Sequence, residues 1–83
     1  MEEIRSVMAC FPQRELDIRR CVIRDASFRA ICSDYEEAVR ARDHWQKIAR
    51  EGDIEGERIV KDYNNLLSEL EEEIVAYLNR SQP

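Results

Sequence analysis

The sequence predicts an all-α protein: an antiparallel, coiled-coil-like hairpin of two long helices with a shorter N-terminal helix packed on it, and a dimeric helical bundle as one way to complete its core. Three observations carry that prediction. Apolar residues recur in alternating steps of three and four on both sides of Gly52, the rhythm of a helix with one dry face. Only two glycines and two prolines occur in 83 residues, so little interrupts helical runs. The chain is 37% charged and 43% hydrophobic, a balance that suits helices with one wet and one dry side.

A single helical domain is expected over residues 1–83, with its elements in the following order. Residues 1–12 form a loose or short helical N-terminus: Ile4, Val7 and Met8 stand at helical spacing, and Phe11 precedes Pro12, which breaks or begins a helix. Residues 13–24 form a short helix of about three turns carrying Leu16, Ile18, Cys21, Val22 and Ile23. Asp25 is a helix N-cap, because its short carboxylate can accept hydrogen bonds from the first free backbone N–H groups. The first hairpin helix then covers 25–51. Its stripe runs Phe28, Ile31, Tyr35, Ala38, Arg42, Trp45 and Ala49, flanked by Cys32, Val39 and Ile48, and Arg42 is its one interruption.

Glu51-Gly52-Asp53 reverses the chain: Gly52 can take the left-handed conformation after a helix end, and Asp53 can cap the next helix. The second hairpin helix covers 53–79. Its stripe runs Val60, Tyr63, Leu67, Leu70, Ile74 and Tyr77, widened by Ile59, Leu66 and Leu78. Residues 80–83 are expected as a loose tail. Helices of about 25 residues, roughly 37 Å each, joined by so short a turn must lie side by side. Symmetry about Gly52 and Asp53 sets Trp45 near Val60, Tyr35 near Leu70, and Phe28 near Tyr77 and Leu78.

The interaction seam is therefore expected at Phe28, Ile31, Tyr35, Val39, Trp45, Tyr63, Leu67, Leu70, Ile74 and Tyr77. Both stripes are wider than one hairpin can bury, so something else must pack on them. The 13–24 helix folding back, or a second copy forming a four-helix bundle about a two-fold axis, would serve. A chain this short buries only about 60% of its unfolded surface, which makes outside help unsurprising.

Charge narrows the function. A net charge of -5 opposes nucleic acid and anionic membrane surfaces, whose affinity comes from Lys and Arg. No apolar stretch is long enough for a span, and Glu2 and Glu3 stand where a signal peptide needs basic residues, so the expected location is the cytoplasm. Three cysteines, Cys10, Cys21 and Cys32, are an odd number in an otherwise ordinary helical sequence and read as reduced.

No catalytic, cofactor-binding or metal site is expected. Cys10, Cys21, Cys32 and His44 are spaced by eleven or twelve residues. On a helix that separates side chains by about 16 Å, far more than a zinc ion with ligands at about 2.3 Å can bridge. Structural thiols are the plainer reading. His44 is the only histidine, and a triad partner such as Cys32 lies more than three turns away on the same helix. Glu69, Glu71, Glu72 and Glu73 read as a solvated face, and they would suit a charge zipper with Arg19, Arg20, Arg24 and Arg29. Arg42 can snorkel to water, pair with Asp62 or Glu69, or set the register. Trp45, Tyr35, Tyr63 and Tyr77 read as core and interface anchors rather than a ligand-stacking set.

At Asp25-Ala26-Ser27-Phe28, Lys47-Ile48-Ala49-Arg50-Glu51-Gly52 and Leu70-Glu71-Glu72-Glu73-Ile74, the chain resembles the YdcH-like family of short uncharacterised bacterial helical-hairpin proteins. The resemblance covers roughly residues 25–78 and implies a coiled-coil hairpin with no assigned activity or site residues. The chain departs from that pattern in a longer first hairpin helix, an acidic second one and the additional residues 1–24.

The function expected from these readings is a non-enzymatic, bacterial-type module for protein-protein interaction or self-association. Its partner would be a protein or a second copy of the chain, and no nucleic acid, membrane, cofactor or small-molecule substrate is expected. Two alternatives stand beside it: a thiol- or metal-responsive regulator using Cys21 and Cys32, and nucleic-acid binding through the arginines from Arg19 to Arg29.

Overall fold

A computed structural model of the chain describes residues 4–80, and these are all-α with no strand among them. Four helices follow one another: α1 (Arg5–Cys10), α2 (Glu15–Arg24), α3 (Ala26–Arg50) and α4 (Ile54–Arg80), with a 3-10 turn at Pro12–Arg14 between the first two. The molecule is a rod of 49 × 22 × 21 Å. Its long axis is the α3–α4 hairpin, and α1 and α2 pack on α3, with α2 also touching α4.

Each junction follows from local chemistry. Pro12, which has no N–H to lose, opens the 3-10 turn that feeds α2, so the short helix begins at Glu15 rather than at Gln13. The Asp25 N–H donates to the Cys21 carbonyl at 2.8 Å, ending α2, and its side chain accepts from the N–H groups of Ser27 (2.9 Å) and Phe28 (3.2 Å), starting α3. One extended residue thus serves as stop and start. Gly52 adopts φ +99°, a conformation that L side chains avoid, and Asp53 accepts from the Glu55 N–H at 3.0 Å. The second long helix begins at Ile54 and continues through Arg80, so residue 80, expected in a loose tail, is helical; residues 81–83, like 1–3, lie outside the described residues.

Contacts across the hairpin pair Phe28 with Tyr77, Tyr35 with Glu71, Arg42 with Asn64 and Ala49 with Gly56. That register is symmetric about the turn. At Gly56 the helices approach closely: a Cβ there would stand 3.2 Å from the Ala49 nitrogen. The core joins Val7, Ile18 and Cys21 from the N-terminal helices to Phe28, Cys32, Tyr35 and Ala38 of α3 and Leu67, Leu70, Ile74 and Leu78 of α4. It occupies one half of the rod. Across residues 39–66, the half nearer the turn, Gly56 alone is buried.

Candidate interaction surface

Helix α3 meets α4 on one side and α1 and α2 on another. At 100° per residue, Tyr35 and Arg42 point at α4, Cys32 and Glu36 point toward α1 and α2, and Asp34, Glu37 and Ala41 face the opposite way. Contacts agree: Glu36 accepts hydrogen bonds from the N–H groups of Ser6 (2.7 Å) and Val7 (3.0 Å) in α1, and Cys32 interacts electrostatically with Cys21 of α2. Among the described residues, no helix lies on the third side of α3. There, with α4, it forms an open groove of about 480 Å³ lined by Asp34, Glu37, Ala38, Ala41, Tyr63, Leu66 and Leu70. The cause is local: Ala38 and Ala41 are too small to fill the space beside Tyr63, Leu66 and Leu70.

The groove is apolar at its base and acidic at its rim. Leu66 is 41% exposed, and Asp34 and Glu37 are exposed beside it. Glu69 and Glu73, three residues beyond Leu66 and Leu70 and also exposed, extend the acidic flank along α4. A second apolar exposure lies on the far side of the molecule, where α2 leaves Leu16 67% and Ile23 78% exposed.

The expected seam residues divide between these environments. Phe28, Tyr35, Leu67, Leu70 and Ile74 are buried, with Phe28 and Tyr77 in a tilted ring contact at 5.8 Å. Ile31, Val39, Trp45, Tyr63 and Tyr77 are only half-buried. Arg80 stacks its guanidinium 4.7 Å from the Tyr77 ring, and His44 stands edge-on to Trp45 at 5.6 Å.

Two ion pairings open to the sequence, one option for Arg42 and the Glu–Arg zipper, are replaced by others. Arg42 does not reach Asp62 or Glu69; its Nε and Nη2 donate to Asp43 Oδ1 at 3.2 and 3.1 Å, and its Nη1 reaches Asn64 Oδ1 at 3.5 Å. The neighbouring carboxylate is the nearer partner for a half-exposed guanidinium. Nor is the charge zipper formed as drawn: Arg19 pairs with Glu15 one turn back, Arg29 donates to the Val22 carbonyl, and Glu71 accepts from Tyr35 Oη at 2.7 Å.

That Tyr35–Glu71 bond belongs to a cluster with Cys10. Although Cys10 is exposed as a residue, its thiol stands against the Tyr35 hydroxyl, and partial burial raises its pKa, opposed by the hydrogen bond between Cys10 and Tyr35 and assisted by the Glu71 charge. Burial, then the hydrogen bond to Glu71, pushes the Tyr35 phenol up as well. A thiol and a phenol both held in their neutral forms are poor nucleophiles. Their effect here is mechanical: they tie the end of α1 to α3 and α4.

Cys21 and Cys32 are buried in the same core, near enough to interact electrostatically despite the eleven residues between them. Burial, followed by the Glu36 and Cys21 charges, pushes the Cys32 thiol up to about 12. No group of three or more His, Cys, Asp or Glu side chains is placed to hold a metal ion among the described residues. No described helix is long and apolar enough to cross a membrane.

Sequence reasoning missed Glu36. It reads as one more acid in a charged stretch, yet it is 5% exposed and secures the start of α1. Its position one turn after Cys32 and three residues before Val39 puts it on the flank of the stripe, the signal that could have found it.

Comparisons of the chain with family models, with curated proteins and with solved structures find no match.

Proposed function

We propose that this chain is a small, non-enzymatic, bacterial-type cytoplasmic module that acts by binding protein, another copy of itself or a different helical partner, through the open face of the α3–α4 hairpin. One observation carries this reading: among the described residues, no helix covers the apolar groove floored by Ala38 and Ala41 and walled by Leu66 and Leu70. An apolar helix face beside water is the feature that helix-in-groove recognition uses, with anchors at i, i+3 and i+7. The resemblance to YdcH-like hairpins, which have no assigned activity, points the same way.

A photo-crosslinking amino acid placed at position 66 in the native host tests the reading, with position 72 on the solvated face of α4 as the control. A protein adduct at 66 and none at 72 is the expected result. Equal labelling at both positions, or at neither, would overturn it.

A second reading, a thiol-responsive regulator, is favoured by one observation, the burial of Cys21 and Cys32 in the same core. It is opposed by the Cys32 thiol, which at about 12 supplies almost no thiolate at neutral pH. Titration of three free thiols after mild oxidant, with no change on adding zinc, would remove it.

A further inference from the structure

We propose that the groove takes helix α2 of another copy of this chain, so that copies join head to tail rather than about a two-fold axis. The inference rests on the reading of the groove as a protein-binding face and names its occupant.

The exposed face of α2 and the groove are chemically matched. Leu16 and Ile23, seven residues apart, lie on one side of α2 with Arg20 between them, while Ile18 and Cys21 fill the opposite, buried side. Arg24 follows on the same exposed side, and Arg19 is already engaged by Glu15. The free face of α2 is therefore two apolar anchors two turns apart, set among arginines. The groove offers the complement: apolar walls at Leu66 and Leu70, and the exposed carboxylates of Asp34 and Glu37 on its rim. Opposite charges around an apolar centre favour this pairing and disfavour groove against groove, which would bring acids face to face.

Geometry decides the symmetry. Helix α2 packs on the Cys32–Glu36 side of α3, and the groove opens on the Asp34–Ala41 side, about half a turn of helix away. A molecule that offers α2 to one neighbour still has its groove free for the next. Such a contact is heterologous and propagates. It is also small: a ten-residue helix on a shallow groove falls short of the ~1,200 Å² typical of tight interfaces, so association is weak and concentration-dependent.

Sedimentation velocity of the purified full chain, from about 10 μM to about 1 mM, reads this directly. The expected result is a sedimentation coefficient that rises with concentration past that of a dimer, and that falls as salt screens the arginines. Two variants sharpen it, both at exposed positions and both checked for unchanged helicity: Ile23→Glu, which spoils the donated helix, and Leu66→Glu, which spoils the groove. Each alone associates at least about tenfold more weakly than the wild type. Mixed in equal amounts, they form a heterodimer through the one intact helix and the one intact groove, and growth stops there.

A wild-type chain that remains monomeric at the highest concentration would overturn the inference. So would a species that stops at a dimer, or a mixture of the two variants that fails to pair. A crosslink from position 66 to a different protein, found together with a monomeric purified chain, would overturn the head-to-tail contact and leave the binding reading standing.

Discussion

The two halves of the α3–α4 hairpin share one sequence rhythm and have unlike interiors. In the half that carries α1 and α2, Phe28, Cys32, Tyr35, Ala38, Leu67, Leu70, Ile74 and Leu78 are buried. In the half nearer Gly52, Trp45, Ile48, Ile59, Val60 and Tyr63 follow the same three-four spacing and stay half-exposed, with only the close approach of Gly56 to Ala49 fully enclosed. The lesson concerns layers. Two helices alone can dry only the line along which they touch, and a core needs a third element to cover the flanks. Periodicity announces a face that seeks cover; which part of it is covered depends on where the rest of the chain reaches.

The contrast is most directly broken by truncating one aromatic residue in each half. Phe28→Ala removes a ring that is fully buried and touches Tyr77, and is expected to cost about 3–5 kcal/mol, read as a fall in the urea midpoint. That is a large share of the total for so small a domain. Trp45→Ala in the free half is expected to cost less than half as much. Equal losses would mean that the two halves are equally packed.

A smaller effect tests how the covered half keeps its cover. Glu36→Ala leaves the Ser6 and Val7 N–H groups without their acceptor, and about 1–3 kcal/mol is expected to be lost. Amide exchange should speed up in α1 and stay unchanged around Gly56 if the carboxylate secures that short helix alone. Uniform acceleration along the rod would show instead that α1 and the hairpin open together.

The last effect is confined to alkaline solution. Cys32 is a thiol whose folded pKa, pushed to about 12, lies above its ordinary 9.0, so between those values the folded state holds a proton that the unfolded state releases. Stability should be fully present below about pH 9 and fall as pH rises through that window, by at most about 1.4 kcal/mol per pH unit. Cys32→Ala should lower stability at neutral pH through the cavity it leaves, and reduce the slope above pH 9. A slope identical to that of the wild type would show that other groups govern the alkaline transition.

Much of this architecture was legible in advance because it depends on local rules. The N-cap at Asp25, the reversal at Gly52 and the two long amphipathic helices each rest on residues within a few positions of one another. Even the register of the hairpin followed from the short turn. The groove was legible only in part. The sequence shows that the apolar stripes exceed what a hairpin buries, but its spacing puts Tyr63 and Leu70 in the same seam as Phe28, whereas the folded seam has one occupied side and one empty one.

By itself the sequence determined the helices, their ends and their antiparallel pairing, since each of these is settled by backbone hydrogen bonding and short-range spacing. Only the tertiary structure decided that α1 and α2 both lie against the Cys32–Glu36 side, that a carboxylate in a charged run becomes the buried anchor Glu36, and that Arg42 turns to Asp43. For α1, α2 and Glu36 the outcome depends on which of several similar flanks of α3 a short helix covers. Residues far apart in the chain settle that choice through packing and desolvation, which no local pattern encodes.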